Sequence, residues 1–245
     1  MIAQRKEAQE NGREMPWERT CGVLYWPQES QLEYPLYDLD LPTLLAKLVI
    51  LLVGFPIHEL AHAWVAYRLG DNTAKHQGRL TLNPLKHLDP LGSLLLLVSV
   101  IGWAKPVPVN PYNLRYGPRV GHAIVSAAGP LSNLLMAALI AVPWRLGLFA
   151  GASAGVARFA IIFVGVNVAL FLFNLIPLAP LDGNSVLSGV IGESAARMLR
   201  PLQAYGPLIL MGLFMLSWVS PQLNFLGRYL GQGVTSVSRF LLGIQ

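Results

Sequence analysis

The stretch that most constrains this chain is His58-Glu59-Leu60-Ala61-His62, because it lies inside a long apolar run from Leu41 to about Leu69. A run of that length can cross a bilayer as a helix. On a helix, His58 and His62 stand one above the other on the same face. Two imidazoles so placed can grip one metal ion, zinc above all, while Glu59 beside them can serve as general base. A charged group in lipid costs about 2–3 kcal/mol even on lenient insertion scales, so this cluster implies a compensating use. A metal site is favoured over a buried polar cluster.

The surroundings of the motif decide the class. The 245 residues are 53% hydrophobic and 13% charged, against about 25% charged in soluble domains. The chain reads as an all-α polytopic membrane protein with about four spanning helices, near residues 43–69, 120–143, 158–176 and 204–220. Gly70-Asp71-Asn72 supplies the turn chemistry that ends the first. Residues 91–103 are apolar but too short to cross, which predicts a re-entrant or interfacial segment. Arg79-Leu80-Thr81-Leu82-Asn83-Pro84 reads as a short strand, and Lys105-Pro106-Val107-Pro108-Val109-Asn110-Pro111 as extended chain. Short β elements are therefore expected in the loop that follows the first span. The division expected is a polar N-terminal arm (1–40), a membrane-embedded core (41–220) and an amphipathic C-terminal tail (221–245).

Charge sets the orientation. Residues 1–40 hold eight of the thirteen acids, and the fourteen Lys/Arg beyond them lie between apolar segments. Those cations are topology signals rather than a nucleic-acid surface. If 91–103 does not cross, the loops at 70–119 and 180–203 share a side and hold most of them. That side is expected to be cytoplasmic in a multi-pass cell-membrane protein, with the site towards it. The lone Cys21 excludes an internal disulfide and a cysteine-based zinc site.

A catalytic zinc needs a third protein ligand and an open position. The pattern with a glycine at 65 and a histidine at 68 fails, since Val65 and Arg68 stand there, and no glutamate follows about twenty residues on. Asp71 and Asp89 sit beside turn residues, where aspartate caps, and Glu193 has basic neighbours. His76, His87 and His122 read as interfacial. Asp182 differs: it ends an apolar helix between prolines and a glycine, with no basic residue within ten positions on either side. Coordination supplies the positive charge that an isolated carboxylate there lacks. Asn133, inside the second span, needs a hydrogen-bond partner, and a structural bond and a substrate contact are both open.

Together these features resemble the site-2 protease family of intramembrane zinc metalloproteases. The likeness lies in residues 58–62 and in Asn174…Pro177…Pro180-Leu181-Asp182-Gly183, with weaker support from Gly78–Pro84, Lys105–Pro108 and Ala128-Gly129-Pro130 with Asn133. It covers about residues 43–200, and the PDZ or CBS domains of other members have no room here. The resemblance implies one zinc ion on His58, His62 and Asp182, Glu59 as catalytic base, and Asn174 as a group that helps position substrate or water; Asn133 stands beside it as a further candidate for substrate-binding or transition-state support. It implies a transmembrane protein substrate met in the lipid bilayer, and hydrolysis of peptide bonds within or near its span.

Overall fold

The computed structural model describes residues 40–98, 102–220 and 224–243, so the N-terminal arm lies outside the described residues apart from Asp40. Helix α1 (Leu41–Arg68) begins where Asp40 Oδ1 accepts the Thr43 N–H at 2.9 Å, with Pro42 in the first turn. Both are helix-start chemistry: an acceptor for an orphan donor, and a proline whose missing N–H costs nothing there. Pro56 lies further in, where it cannot donate to Leu52 and its ring crowds that carbonyl. The preceding Ile50–Gly54 widens into a π turn, and the helix resumes at Phe55–Arg68 with the histidine motif. The wider turn changes the rotational phase of that second half relative to the first.

At the end of α1, Gly70 turns the chain at φ 108°, a left-handed conformation that glycine adopts without strain. Asp71 follows and is fully buried. Its carboxylate accepts the Thr73 N–H (3.1 Å) and hydroxyl (2.6 Å), which start α2 (Thr73–His76). It also accepts the Asn110 N–H at 2.8 Å and the Asn113 amide at 3.1 Å. Burial pushes the Asp71 carboxyl up, but these donors outweigh it and hold the group below its ordinary value. A depressed folded value contributes stability that is present above about pH 4 and lost as pH falls through it. Asp71→Ala is expected to cost about 2–4 kcal/mol, since buried donors lose a charged acceptor. Thermal unfolding in detergent at pH 7 and pH 3 checks both points, with the gap between variant and parent narrowing at the lower pH.

Residues 79–83 form no strand; among the described residues the only β pairing is an isolated bridge between Leu88 and Ala104. The alternation of Leu80 and Leu82 has no partner strand. Instead Arg79, buried, donates to the carbonyls of Lys86, Lys105 (2.7 Å) and Pro106 (2.5 Å). Helix α3 (Pro90–Val98) is started by Asp89, which accepts the Gly92 N–H at 2.9 Å. The chain then returns to where it entered: Lys105 N–H bonds His87 O at 2.6 Å, and a Cβ on Gly92 would lie 2.2 Å from Trp103 O.

Helices α4 (Gly117–Arg145) and α5 (Ala154–Asn174) join α1 as the three described helices long and apolar enough to cross a membrane. The remaining helices are α6 (Asp182–Val190), α7 (Glu193–Ala204), α8 (Gly206–Val219) and α9 (Phe225–Leu242). The expected fourth span is α8, whose 14 residues reach about 21 Å, short of a bilayer core of about 30 Å. Phe214 of α8 meets Phe173 at the last turn of α5, with ring centroids 6.2 Å apart. The C-terminal stretch is a packed helix: Val234 and Leu242 of α9 are buried with Ala137, Ala141 and Trp144 of α4 and Ala160, Val164 and Val168 of α5. Small side chains at these contacts let helices approach closely where lipid removes the usual hydrophobic drive. The end of α1, the start of α4 and the end of α5 face one side, and there the loops assemble the site.

Candidate metal centre

Helix α4 is the platform of the site. Its residues Val125, Gly129 and Asn133 recur every four positions and so share one face. Asn133 Oδ1 lies 2.5 Å from His58 Nδ1, and Val125 O lies 2.8 Å from His62 Nδ1. Gly129 sits between them, where a Cβ would lie 2.2 Å from His62 Nε2 and 2.6 Å from His58 Nε2. Pro130 cannot donate to Ser126 O and loosens the helix at this turn. The Ala-Gly-Pro…Asn phrase is thus a cradle for two imidazoles from α1.

Asp182 arrives from the other direction, at the start of α6. A Cβ on Gly183 would lie 2.3 Å from Leu175 O, so only glycine lets the chain fold back over the end of α5 here. Helix α6 then lies tightly on α4, with a Cβ on Gly189 only 2.1 Å from the Ala123 Cβ. Asp182 Oδ2 ends 3.4 Å from His58 Nε2 and 3.4 Å from His62 Nε2.

These donors fit zinc. Val125 O can only accept, so His62 Nδ1 carries its proton and Nε2 presents a lone pair. Asn133 Oδ1 does the same for His58. Two lone pairs then face each other across 3.1 Å with a carboxylate oxygen beside them. That arrangement repels itself unless a cation lies between. A tetrahedral ion with ligands at about 2.0–2.1 Å separates them by about 3.3–3.4 Å; the two edges to Asp182 match at 3.4 Å, and the edge between the histidines, at 3.1 Å, is slightly shorter. Nδ1 bonded to an oxygen behind each ring is the usual outer support of a metal-bound histidine.

Glu59, nearly buried, lines a cavity of about 630 Å³ that also includes His58, His62 and Asp182. Apolar walls come from Phe55, Leu170 and Phe173, and the extended stretch Trp103–Val107 with Val109 forms another side. Asn174 lines the same cavity and donates one amide hydrogen to Leu170 O at 3.0 Å. Its second hydrogen and its carbonyl oxygen stay available to a ligand.

Asn133 is not with the substrate-supporting groups. It is fully buried behind His58 and bonds Asn167 of α5 at 3.1 Å, so the structural bond is the one realised. Asp71 and Asp89 act as caps. His76 is exposed at the end of α2, but His87 is fully buried with Nε2 2.8 Å from Thr81 O. His122, one turn before Val125 and Ser126, lines the cavity. That helical offset from Gly129 was the signal by which the sequence could have placed it there.

Fold and donor set define a membrane-embedded metal-binding protein, and the comparisons specify it further. The chain is 43% identical over 190 residues to the Bacillus subtilis protein named "Putative zinc metalloprotease YwhC", covering 75% of this chain and 84% of that one. Proteins named "Putative zinc metalloprotease Rip2" are 33% identical in Mycolicibacterium smegmatis and 30% identical in Mycobacterium tuberculosis, each covering 71% of this chain and 66% of the relative. No protein-family model matches the chain, and no solved structure does. The chain belongs to this zinc metalloprotease family.

Proposed function

We propose that this protein is an intramembrane zinc metalloprotease of the site-2 type, cutting transmembrane protein substrates within or near their spans. The observation that carries the reading is the meeting of His58, His62 and Asp182 at 3.1–3.4 Å, with both histidines and Glu59 on a helix of membrane-spanning length. His58 lies ten residues before Arg68 on α1, about 15 Å of helix at 1.5 Å per residue. The site then sits below one membrane surface. Lys75, Arg79, Lys86, Lys105, Arg115 and Arg119 lie in the connection on that side or at the start of α4, and the positive-inside rule makes that side cytoplasmic. Helix α3, with its entry and exit tied together, is the re-entrant segment of this reading.

His58, His62 and Asp182 would hold the ion, which when bound supplies a Lewis acid and acidifies a water towards a pKa of about 7. Glu59 takes a proton from the attacking water as oxygen bonds the peptide carbonyl carbon. It passes that proton to the amide nitrogen as the C–N bond breaks, so water, acid and amine balance. The free amide hydrogen of Asn174 would donate to the carbonyl oxygen as charge develops on it.

A substrate helix must unwind first, because its carbonyls are tied into its own hydrogen bonds. The extended residues 105–109 can hold the unwound backbone by edge pairing, and all of them but Pro108 line the cavity. Photo-crosslinkers at Val107 or Val109 are expected to trap substrate, whereas one at Leu82, outside the cavity lining, should not. Equal trapping at all three positions would sink the edge-pairing idea.

The function itself is tested with purified protein in liposomes and a labelled single-span substrate. Cleavage should stop when a chelator strips the metal and return with added zinc. Cleavage that survives full removal of zinc would contradict the reading.

A further inference from the structure

The two histidines obtain the same tautomer by different means. His62 Nδ1 meets a backbone carbonyl, Val125 O, which can only accept. His58 Nδ1 meets a side-chain amide, which can present either an acceptor oxygen or a donor nitrogen. If the amide of Asn133 turned over, its nitrogen would donate to His58 Nδ1. The proton would then sit on Nε2, where it blocks a metal. Something must hold Asn133 the right way round.

That something lies on α5. Asn167 Nδ2 donates to Phe163 O at 2.9 Å, an oxygen that can only accept, so its amide nitrogen is fixed there. The Asn167 oxygen therefore faces Asn133 and accepts from Asn133 Nδ2 at 3.1 Å. Asn133 Oδ1 is thereby committed to His58 Nδ1 at 2.5 Å. Both asparagines have no exposed surface, so water does not compete for these bonds. Each link is decided by the one behind it, and the sequence of bonds starts at a backbone carbonyl.

We propose that Asn167 sets the tautomer of His58 through Asn133, and so is a positioning residue for the metal centre on a helix that carries none of the three ligands. The inference rests on the zinc-site reading above. It also explains why Asn167, fully buried in an apolar helix, spends both ends of its amide on neighbours rather than giving way to leucine.

The test is zinc affinity of the purified protein, measured by competition with a chromophoric chelator. Asn167→Leu keeps the branched shape but removes the acceptor that orients Asn133. Zinc should bind about 10–100-fold more weakly, the loss typical of a broken outer-shell contact, while the helical circular dichroism stays near the parent's. Asn167→Ala gives the same expectation if the leucine variant does not fold. The decisive protein is Asn167→Leu combined with Asn133→Asp. A carboxylate accepts through both oxygens, so it has no wrong way round, and zinc affinity should recover at least about 10-fold over Asn167→Leu alone. A role in packing alone would show no such rescue. Parent-like affinity in Asn167→Leu, or loss without rescue, overturns the relay. A parent protein that takes up no zinc overturns the metal-site reading instead.

Discussion

Replacing Glu59 by glutamine is expected to reduce substrate cleavage by about 10²–10⁴-fold, the usual contribution of a positioned proton acceptor. Glutamine matches the size of the side chain and keeps its place in the cavity, but it cannot take a proton from water. The metal should remain, since the donors that converge are His58, His62 and Asp182 and not Glu59. Turnover in liposomes, measured beside zinc content, separates the two effects. A glutamine variant that cuts as fast as the parent would remove Glu59 from the chemistry. One that lost its zinc would make Glu59 part of the binding site instead.

Gly129→Ala is expected to give the opposite pairing, a folded protein without metal. A Cβ at position 129 would lie 2.2 Å from His62 Nε2, 2.5 Å from His62 Cε1 and 2.6 Å from His58 Nε2. The rings cannot retreat easily, because Val125 O and Asn133 hold their far sides. Either the imidazoles swing away from Asp182 or α1 separates from α4 at this turn. Zinc affinity should fall by about 100-fold or more, and cleavage with it. The helix itself should not suffer, since alanine is a better helix former than glycine by about 1 kcal/mol. Zinc content and unfolding temperature of the purified variant check this together. Full zinc content in Gly129→Ala would mean that the cradle is looser than these distances.

The centre was legible in the sequence because its chemistry leaves few alternatives. His58 and His62 are tied by helical spacing, and Asp182 stands out as a carboxylate with no nearby cation in an apolar setting. The ends of α1, α4 and α5 were also close to the expected ones, since Asp40, Pro42, Gly70, Gly117 and Ser153 are ordinary start and stop residues.

What the sequence hid depends on packing between distant segments. The Asn133–His58 bond joins residues 75 positions apart, and nothing local to either one names the other. Asn167 reads as one more polar residue in a span until α5 is laid against α4. The alternation at residues 79–83 suggested a strand, but a strand needs a partner, and the carbonyls nearby are taken by the Arg79 guanidinium. The apolar stretch near 204–220 suggested a crossing, yet the helix starts only at Gly206 and ends by Ser220. Its first residue is pressed on Ala179, where a Cβ on Gly206 would lie 2.4 Å from the Ala179 carbonyl oxygen.

The most direct measurement is the position of the cut. A single-span substrate is co-reconstituted with the purified protein in liposomes, and its fragments are sequenced by mass spectrometry beside a Glu59→Gln control. The result expected is a cut inside the apolar span, in the leaflet nearer the basic loops, and absent from the control. Fragments ending only in the water-exposed flanks, or identical fragments from the control, would contradict hydrolysis within the membrane at His58, His62 and Asp182.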